Sequence, residues 1–395
     1  MEKIWNKKFI LLFITNLLMM ATFYASVSIL PIYCQELGIT GSRIGVVLTA
    51  MSVTTVVCRP FAGYLLDNFN RYHVFLVCLA LFCLPFLGFV VFPFFGALVA
   101  LRLYMGAVYS VCGSATTTLA GDVLPHSMVH RGVNRFALTI SLGTAAGPFI
   151  GIQVQNHVGS RAAFLVLFAL AVLALLCVSR CRIVYPGVER KPFSWSGAFY
   201  KPALPFMCNM IFLMIPFGAV IAYSSIFAQE QGLSDVIPYF YIFLVAGMLL
   251  SKFSTQKLVD SGRHGHLVAV SLVVLLLTMA SYAVLRTAVH LLAAGFLLGL
   301  GYGILQPLFQ SFVTGTTPVP KRGAANAIYL LSYDIGIGIG SFLMGLFQES
   351  IGLAAGFAVT AAAYVVGAAI YGLYVHGYHQ RLAARAVQSQ PAADR

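Results

Sequence analysis

The chain has 395 residues, of which 60% are hydrophobic and only 9% are charged, and its mean hydropathy is +0.90. These values exclude an ordinary soluble domain and indicate a polytopic membrane protein, because apolar stretches of about 20 residues, long enough to cross a bilayer as helix, recur along the whole chain. The formal net charge of +13 is concentrated on one side of the predicted membrane, so it reports topology and not nucleic-acid binding.

Hydropathy predicts about twelve membrane-spanning helices, so the expected fold class is an all-α polytopic membrane protein. Basic residues precede the first helix, occupy the segment between the sixth and the seventh, and follow the last. Because lysine and arginine are retained in cytoplasmic segments, both chain termini are expected in the cytoplasm. In chain order, the predicted helices lie near residues 9–32, 43–65, 74–92, 95–118, 135–155, 162–179, 203–227, 236–257, 267–286, 289–313, 325–347 and 354–376.

The eight cysteines are scattered through or beside apolar segments, with no CxxC pair and no histidine at metal-ligand spacing. They are expected to behave as small buried hydrophobic residues, and no metal site is predicted. The chain contains no GxxxxGK[ST] phosphate loop, so ATP-driven pumping by this chain alone is not expected.

Two short segments recur along the chain and indicate an internal duplication. CQELG at 34–38 returns as AQEQG at 228–232, and HRGVNR at 130–135 returns as KRGAAN at 321–326. Both offsets are roughly 190 residues, and unrelated segments should not share both spacing and order. The repeat therefore predicts two pseudo-symmetric six-helix bundles.

Charged residues at the end of the second helix of each half follow the same repeat. Asp67 with Arg71 is echoed by Asp260 with Arg263, and the charged segment before the seventh helix falls where the two halves would join. The predicted domains are an N-terminal bundle at 1–180, a cytoplasmic linker at 181–202, a C-terminal bundle at 203–378 and a disordered cytoplasmic tail at 379–395.

The segment RPFAGYLLDNFNR, residues 59–71, resembles the loop between the second and third helices of the major facilitator transporters. Gly63, Leu65, Asp67 and Arg71 match that pattern, whereas Asn68 stands where a basic residue is usual. In that family the loop carboxylate contacts the amino-terminal end of the eleventh helix and holds the cytoplasmic side shut, a contact that the helix dipole favours. The resemblance thus implies a cytoplasmic gate formed by Arg59, Gly63, Asp67, Arg71, Asp260 and Arg263.

Two further motifs point to the drug and metabolite efflux branch of the same family. LRLYMG at 101–106 is similar to the Arg-x-x-x-Gly of the fourth helix, which in the family lies near the proton path, and Arg102 matches it. GTAAGPFIG at 143–151 resembles a pattern associated with exporters that exchange substrate for protons. Its glycines recur every four residues and let another backbone approach one helix face, while the proline removes a backbone donor. The residues of this antiporter-type motif are Gly143, Gly147, Pro148 and Gly151.

Asp334 is the acidic residue in the otherwise apolar stretch 327–347. An ionised carboxylate at bilayer depth costs a few kcal/mol, so it should be paired, hydrated or protonated. We predict Asp334 and Arg102 as proton-coupling residues. The alternative is that Asp334 hydrogen-bonds tyrosine, serine or arginine partners and holds helices together, and the absence of an acidic residue from the first helix weakens the coupling hypothesis.

Polar and aromatic side chains predicted inside the bundle are candidates for the substrate path. Each of them could instead form an interhelical hydrogen bond. The abundant phenylalanine, tyrosine and methionine would suit a broad hydrophobic pocket. The candidates are Asn16, Tyr24, Thr116, Gln153, Asn209, Tyr223, Gln306 and Gln310.

The predicted function is export of a drug-like molecule or metabolite across the cytoplasmic (inner) membrane in exchange for protons, with the proton gradient as energy source and no cofactor. An intramembrane aspartyl protease is not favoured, because it would need a second carboxylate at membrane depth and the sequence shows none. A potassium channel is not favoured either, because GYG at 301–303 lacks the Thr-Val that precedes it in a potassium filter. We expect a monomer embedded in lipid, with no enzymatic activity. Dedicated export of one metabolite or metal-chelating molecule, and proton-coupled import, remain alternatives.

Overall fold

The computed structural model describes residues 5–124, 128–181, 183, 200–254, 264–317 and 322–388. Within these residues the regular secondary structure is helical throughout. Ten helices are long and apolar enough to cross a membrane, and the shorter apolar helix Ile237–Lys252 adds to them. The prediction of an all-α polytopic membrane protein is therefore confirmed.

The first half of the chain forms a bundle in which a short helix precedes the fifth membrane-spanning helix. The side on which α1 begins is called the terminal side below, and the opposite side is called the far side. The helices are α1 Lys7–Glu36, α2 Ser42–Asn68, α3 Arg71–Val91, α4 Phe95–Asp122, α5 Val129–Phe136, α6 Leu138–Val158 and α7 Ser160–Ser179.

The second half repeats this arrangement, and its last span is a run of short helices with a π-helical turn at Tyr371–Val375. The helices are α8 Leu204–Glu230, α9 Ile237–Ser254, α10 His264–Ser281, α11 Ala288–Gly315, α12 Arg322–Ser350, α13 Leu353–Thr360, α14 Ala362–Ile370 and α15 His376–Gln388.

Positive-φ glycines lie at matching places in the two halves. Gly38 and Gly232 end the first helix of each half with φ of 73° and 69°. Gly159 and Gly352 connect the last two spans of each half with φ of 105° and 81°. Glycine adopts this left-handed region without the steric cost that a side chain would add. The backbone thus repeats where the sequence repeats.

Helix packing follows the same two-fold pattern. In the first bundle α1 packs against α6 and α2 against α4, and in the second α8 packs against α12 and α9 against α11. Between the bundles, α2 lies against α12 and α6 lies against α9. These two inter-bundle seams position the site described below.

The chain ends differ from the expectation of a disordered tail. Helix α15 continues to Gln388, and the ring of His379 lies against that of Phe312 with centroids 4.1 Å apart, so the first part of the predicted tail is helical. Apolar and aromatic contacts stabilise it, including a stacked pair between Tyr374 and Tyr378 with ring centroids 5.7 Å apart. Most of the predicted linker, and the tail beyond Gln388, lie outside the described residues.

Candidate functional site

An ion pair joins the two bundles near the middle of the molecule. Arg59 of α2 donates from Nε to Oδ2 of Asp334 on α12 at 2.9 Å, and its Nη2 contacts the same oxygen. The side chains are 8% and 17% exposed, so the pair is largely removed from water. Since the partners belong to different halves of the chain, the contact is a direct electrostatic link between the bundles.

Arginine is one of the partner types named for Asp334 in the alternative to proton coupling, but the sequence did not indicate that this arginine is Arg59. Arg59 was assigned to the cytoplasmic gate, but α2 runs on to Asn68, which leaves Arg59 about 14 Å along the helix from its end. A long arginine side chain at that depth reaches Asp334 across the seam between α2 and α12. Arg102, the other predicted proton-coupling residue, lines the same crevice as Asp334 and bonds to the carbonyl of Leu48.

A crevice lies beside this ion pair and is lined by both bundles. Its enclosed part has a volume of about 40 Å³, and the remaining space between the protein atoms continues into open solvent. Its wall is mostly apolar, with a few hydroxyl groups and two charged side chains, a composition typical of small-molecule sites. The lining residues are Phe23, Val27, Leu48, Met51, Ser52, Thr55, Arg102, Tyr109, Asp334, Ile337 and Ser341.

Stacked and hydrogen-bonded aromatic rings surround the charged groups. Phe23 and Tyr109 stack with ring centroids 4.3 Å apart and an interplanar angle of 8°. Tyr329 and Tyr333 precede Asp334 on α12, and their hydroxyl oxygens are 2.6 Å apart. Tyr329 also donates to the carbonyl of Gln306 at 2.5 Å. The crevice therefore offers a flat aromatic surface next to one ion pair.

Arg102 is buried at the end of the crevice nearer the far side. It is 2% exposed, and its Nη2 lies 3.4 Å from the carbonyl oxygen of Leu48. Its Nη1 lies 3.8 Å from the sulfur of Met105, and its Nε has no hydrogen-bond partner among the described residues. A guanidinium with five donors is thus held by one long hydrogen bond and one weak sulfur contact.

The bundles touch closely on the far side. Thr49 of α2 donates to the carbonyl of Gly338 on α12 at 3.0 Å, and a Cβ at Gly345 would lie only 2.9 Å from the Cα of Gly45. On the second seam, Asn156 donates to the carbonyl of Ser234 at 3.0 Å. Among the described residues, the two bundles are therefore in direct contact on the far side along both seams.

The predicted gate residues are only partly described. Arg71 forms an ion pair with Asp122 at 3.2 Å and donates from Nε to the carbonyl of Leu66 at 2.9 Å, which ties α3 to the ends of α4 and α2. A Cβ at Gly63 would have no neighbour within 4 Å. The side chain of Asp67, together with Asp260 and Arg263, lies outside the described residues, so the gate stays a prediction.

The glycines of the antiporter-type motif pack α6 against α1. A Cβ at Gly147 would lie 2.1 Å from the carbonyl oxygen of Ala21, and one at Gly143 would lie 2.6 Å from the Cβ of Met20. A Cβ at Gly151 would lie 3.0 Å from the Cβ of Ala25, and α6 continues through Pro148 without a break. The predicted close approach of a second backbone to this face is confirmed, and the partner is the first helix of the same bundle.

Several substrate-path candidates make packing contacts. Asn16 donates to Oγ1 of Thr139 at 2.5 Å, and Asn209 donates to the carbonyl of Gly367 at 2.6 Å. Both asparagines are fully buried within their own bundles and join helices there. Thr116 donates to a carbonyl of its own helix at 3.3 Å. These contacts are those of interhelical and local hydrogen bonds.

The other candidates also lie apart from the described crevice lining. Tyr24 is half-buried and neighbours the lining residue Phe23, with ring centroids 5.0 Å apart. Tyr223 is fully buried, and Gln310 is exposed and donates to Asn326 at 3.1 Å. Gln153 and Gln306 are half-buried. No member of the set of eight is among the described residues that line the crevice.

A helical pattern in the sequence could have identified the α2 wall of the crevice. Leu48, Met51, Ser52, Thr55 and Arg59 recur with spacings of three and four residues and so share one helix face. Four of them line the crevice, and the fifth pairs with Asp334. The pair of Arg59 and Asp334, 275 positions apart, could not be found in this way, because periodicity describes the faces of one helix and not the helix that packs against it.

Comparisons with known proteins agree with this architecture. A family model described as Major Facilitator Superfamily matches residues 12–289 and 258–392. The staphylopine export protein of Staphylococcus aureus (strain Mu50 / ATCC 700699) is 22% identical over 343 residues, which cover 82% of this chain and 85% of that protein. The quinolone resistance protein NorA of Staphylococcus aureus (strain MRSA252) is 27% identical over 171 residues, which cover 43% of this chain and 44% of NorA.

Solved structures with low sequence identity share the fold. The nucleoside transporter NupG superposes with a TM-score of 0.74 at 15% identity, covering 93% of this chain and 99% of that one. A bacterial homolog of the human lysosomal transporter Spinster, in an inward-facing and unoccupied conformation, gives a TM-score of 0.73 at 11% identity and covers 98% and 99%. At these identities the likeness concerns the fold alone.

Proposed function

The chain belongs to the Major Facilitator Superfamily, and from that premise we propose that it exports a small molecule across the cytoplasmic membrane in exchange for protons. The observation that carries this proposal is the contact between Arg59 and Asp334, which links the two bundles beside a crevice lined by both. The names of two relatives, an export protein and a drug-resistance protein, support the outward direction. Both termini would then face the cytoplasm, and one chain would suffice for transport.

Protonation of Asp334 provides the physical step that exchange requires. The ionised carboxylate is attracted to the guanidinium of Arg59 across the seam between α2 and α12, in a site largely shielded from water. When the carboxyl group takes a proton, the attraction between two opposite charges is replaced by a hydrogen bond from the charged guanidinium to a neutral acceptor, and the link between the bundles weakens. A proton and a substrate that compete for the same carboxylate cannot both be carried in one direction.

In alternating access, the contacts between the bundles would close the far side and the terminal side in turn. The far side is held by Thr49 with Gly338 and by Asn156 with Ser234. An outward-open conformer would break these contacts and form new ones on the terminal side, where the predicted gate at Asp67 and Arg71 lies. Packed helices have discrete arrangements, so a local change of charge can shift the balance between two such conformers.

The test is substrate-triggered proton movement in inverted membrane vesicles, across a panel of lipophilic cations and anionic metabolites. The variant Asp334→Asn keeps the shape of the side chain and removes its titration. We expect the unaltered chain to move protons with a substrate and the variant to move none, even at substrate concentrations high enough to compensate for weaker binding. Asp235→Asn, which removes an exposed carboxylate between α8 and α9, is the matched control and should behave like the unaltered chain. Proton movement that persists in Asp334→Asn contradicts the proposal.

A second candidate function is export of one dedicated metabolite. It is favoured by the extent of the match to the staphylopine export protein, which spans 82% of this chain against 43% for NorA. Deletion of the gene separates the two candidates. A dedicated exporter would let one internal metabolite accumulate, whereas a multidrug exporter would protect cells against several unrelated toxic compounds.

A further inference from the structure

Arg102 is a buried cation without an anionic partner among the described residues. Its Nε is unpaired and its strongest contact is a 3.4 Å hydrogen bond to Leu48. The ion pairs among the described residues lie elsewhere: Asp334 pairs with Arg59, and Asp122 pairs with Arg71. A buried guanidinium is costly unless it is paired, so a protein that retains one in a crevice gains most from it when an anion binds.

The charges of the crevice leave one positive charge in excess. Arg59 and Asp334 neutralise each other, and Arg102 remains. The neighbouring wall is apolar and aromatic, with the stacked rings of Phe23 and Tyr109. An acidic group on an aromatic body would therefore find a charge-assisted hydrogen-bond donor and a flat stacking surface in the same space.

A substrate with only an acidic group, however, would bind more tightly when Asp334 is protonated, which is the opposite of what exchange requires. Protonation of Asp334 adds positive charge to the crevice and would strengthen the binding of an anion. Because coupling between two ligands is reciprocal, the anion would then promote proton uptake, and the two would travel together. A basic group on the same molecule reverses this relation, because it competes with the proton for Asp334.

The two charged groups lie at successive depths of the crevice. Arg102 contacts Leu48, and the adjacent Thr49 bonds to Gly338 on α12. Asp334 precedes Gly338 by one helical turn, about 6 Å along the axis. A molecule that contacts both groups therefore presents its acid and its base at different depths of the crevice.

We propose that the crevice binds an amphoteric aromatic molecule, with its carboxylate on Arg102 and its amine on Asp334. The amine would displace Arg59 or a proton from the carboxylate, and the aromatic spacer would lie against Phe23 and Tyr109. This assignment rests on the proposed exchange of substrate for protons, and it narrows the substrate to one chemical class.

The experiment measures equilibrium binding to the purified full chain with three matched probes. They are 6-(aminomethyl)-2-naphthoate, its carboxamide, which keeps only the amine charge, and its N-acetyl derivative, which keeps only the carboxylate. We expect the unaltered chain to bind the amphoteric probe about tenfold or more tightly than either single-charge probe, since each lost charge removes a charge-assisted hydrogen bond.

Variants assign each charge to its residue. Arg102→Gln should abolish the preference for the amphoteric probe over the carboxamide, and Asp334→Asn should abolish its preference over the N-acetyl derivative. Arg102→Lys keeps the charge but loses the planar guanidinium, so its preference for the amphoteric probe should lie between those of the unaltered chain and Arg102→Gln. Arg102→Lys replaces Arg102→Gln if the latter does not fold. Arg286→Gln removes an exposed cation near Gln231 and should bind like the unaltered chain.

Three results would overturn the assignment: no binding of the amphoteric probe, equal affinity for the carboxamide, or a preference that survives in Arg102→Gln. The vesicle assay distinguishes a refutation of the amphoteric site from a refutation of the exchange proposal. Proton exchange with a simple lipophilic cation, without any preference for the amphoteric probe, would refute the amphoteric site and leave exchange standing. A preference for the amphoteric probe that depends on Arg102, without proton movement, would refute exchange and leave the amphoteric site standing.

Discussion

The two bundles have the same packing positions but different charges. Gly147 approaches the carbonyl of Ala21 in the first bundle, and Gly340, 193 residues later, approaches that of Ile215 in the second. At the same offset, the counterpart of Arg102 is Gly295. Duplication thus accounts for how the helices pack, and the charges that differ between the halves define the site.

Asp334 follows the same rule, because its counterpart in the first bundle is Ser141. The second bundle therefore supplies the carboxylate of Asp334, and the first supplies the guanidinium of Arg102 in the crevice and that of Arg59 in the adjacent ion pair. A symmetric duplicate would place like charges opposite each other, which is unfavourable. Asymmetry at these few positions is what permits an ion pair across the seam.

The largest expected effect comes from the shared packing positions. A Cβ at Gly147 or Gly340 would lie 2.1 Å and 2.0 Å from backbone carbonyl oxygens, which cannot move aside without displacing a helix. We expect Gly147→Val and Gly340→Val each to lose about 3 kcal/mol or more of stability, measured by thermal unfolding in detergent. Gly121→Ala, where a Cβ meets nothing within 4 Å, is the control and should not destabilise the chain. Unequal losses at the two positions would argue against equivalent packing.

The second largest effect is expected when the ion pair of Arg59 and Asp334 is broken. Arg59→Met leaves Asp334 mostly buried without its partner, and removal of one member of a buried pair costs about 3 kcal/mol, less here because Asp334 is 17% exposed. We expect the double variant Arg59→Met with Asp334→Asn to recover part of that loss. Additive losses in this double-mutant cycle, measured by unfolding in detergent, would mean that the pair contributes no coupling energy across the seam.

The fold was more accessible from the sequence than the site was. Helix number, the internal repeat and the close glycine contacts of α6 follow from local hydropathy and spacing, which report on one helix at a time. The link between Arg59 and Asp334 depends on which faces of α2 and α12 meet. The resemblance assigns Arg59 to the cytoplasmic gate through its position beside a loop motif, and a loop motif does not show which residue of another helix a long side chain reaches.

The substrate-path candidates show the same limit. Asn16 and Asn209 are polar residues in apolar helices, a pattern that a ligand contact and an interhelical hydrogen bond share. The structure gives both asparagines such a bond, to Thr139 and to Gly367. Only the neighbour across the helix interface distinguishes the two roles, and hydropathy contains no information about that neighbour.

A moderate and equal effect is expected at these matched asparagines. Asn16→Ala and Asn209→Ala each remove one buried interhelical hydrogen bond, which we expect to cost about 1 kcal/mol of stability. Thermal unfolding in detergent measures the loss, and the vesicle assay should show unchanged proton movement per molecule of folded protein. A selective change in substrate affinity in either variant would restore that asparagine to the substrate path.

The smallest effect is expected at Lys252, the counterpart of Arg59 in the second bundle. Its side chain is half-buried on α9, whereas Arg59 is 8% exposed and bound to Asp334. Because a lysine that keeps contact with solvent contributes little beyond the packing of its stem, Lys252→Met should change stability by about 0.5 kcal/mol or less and leave proton movement intact. Comparison with Arg59→Met in the same unfolding and vesicle assays measures the asymmetry directly. If both variants lost the same stability and the same coupling, the charge at this repeated position would serve packing in both bundles, and the functional pair would have to be sought at Arg102.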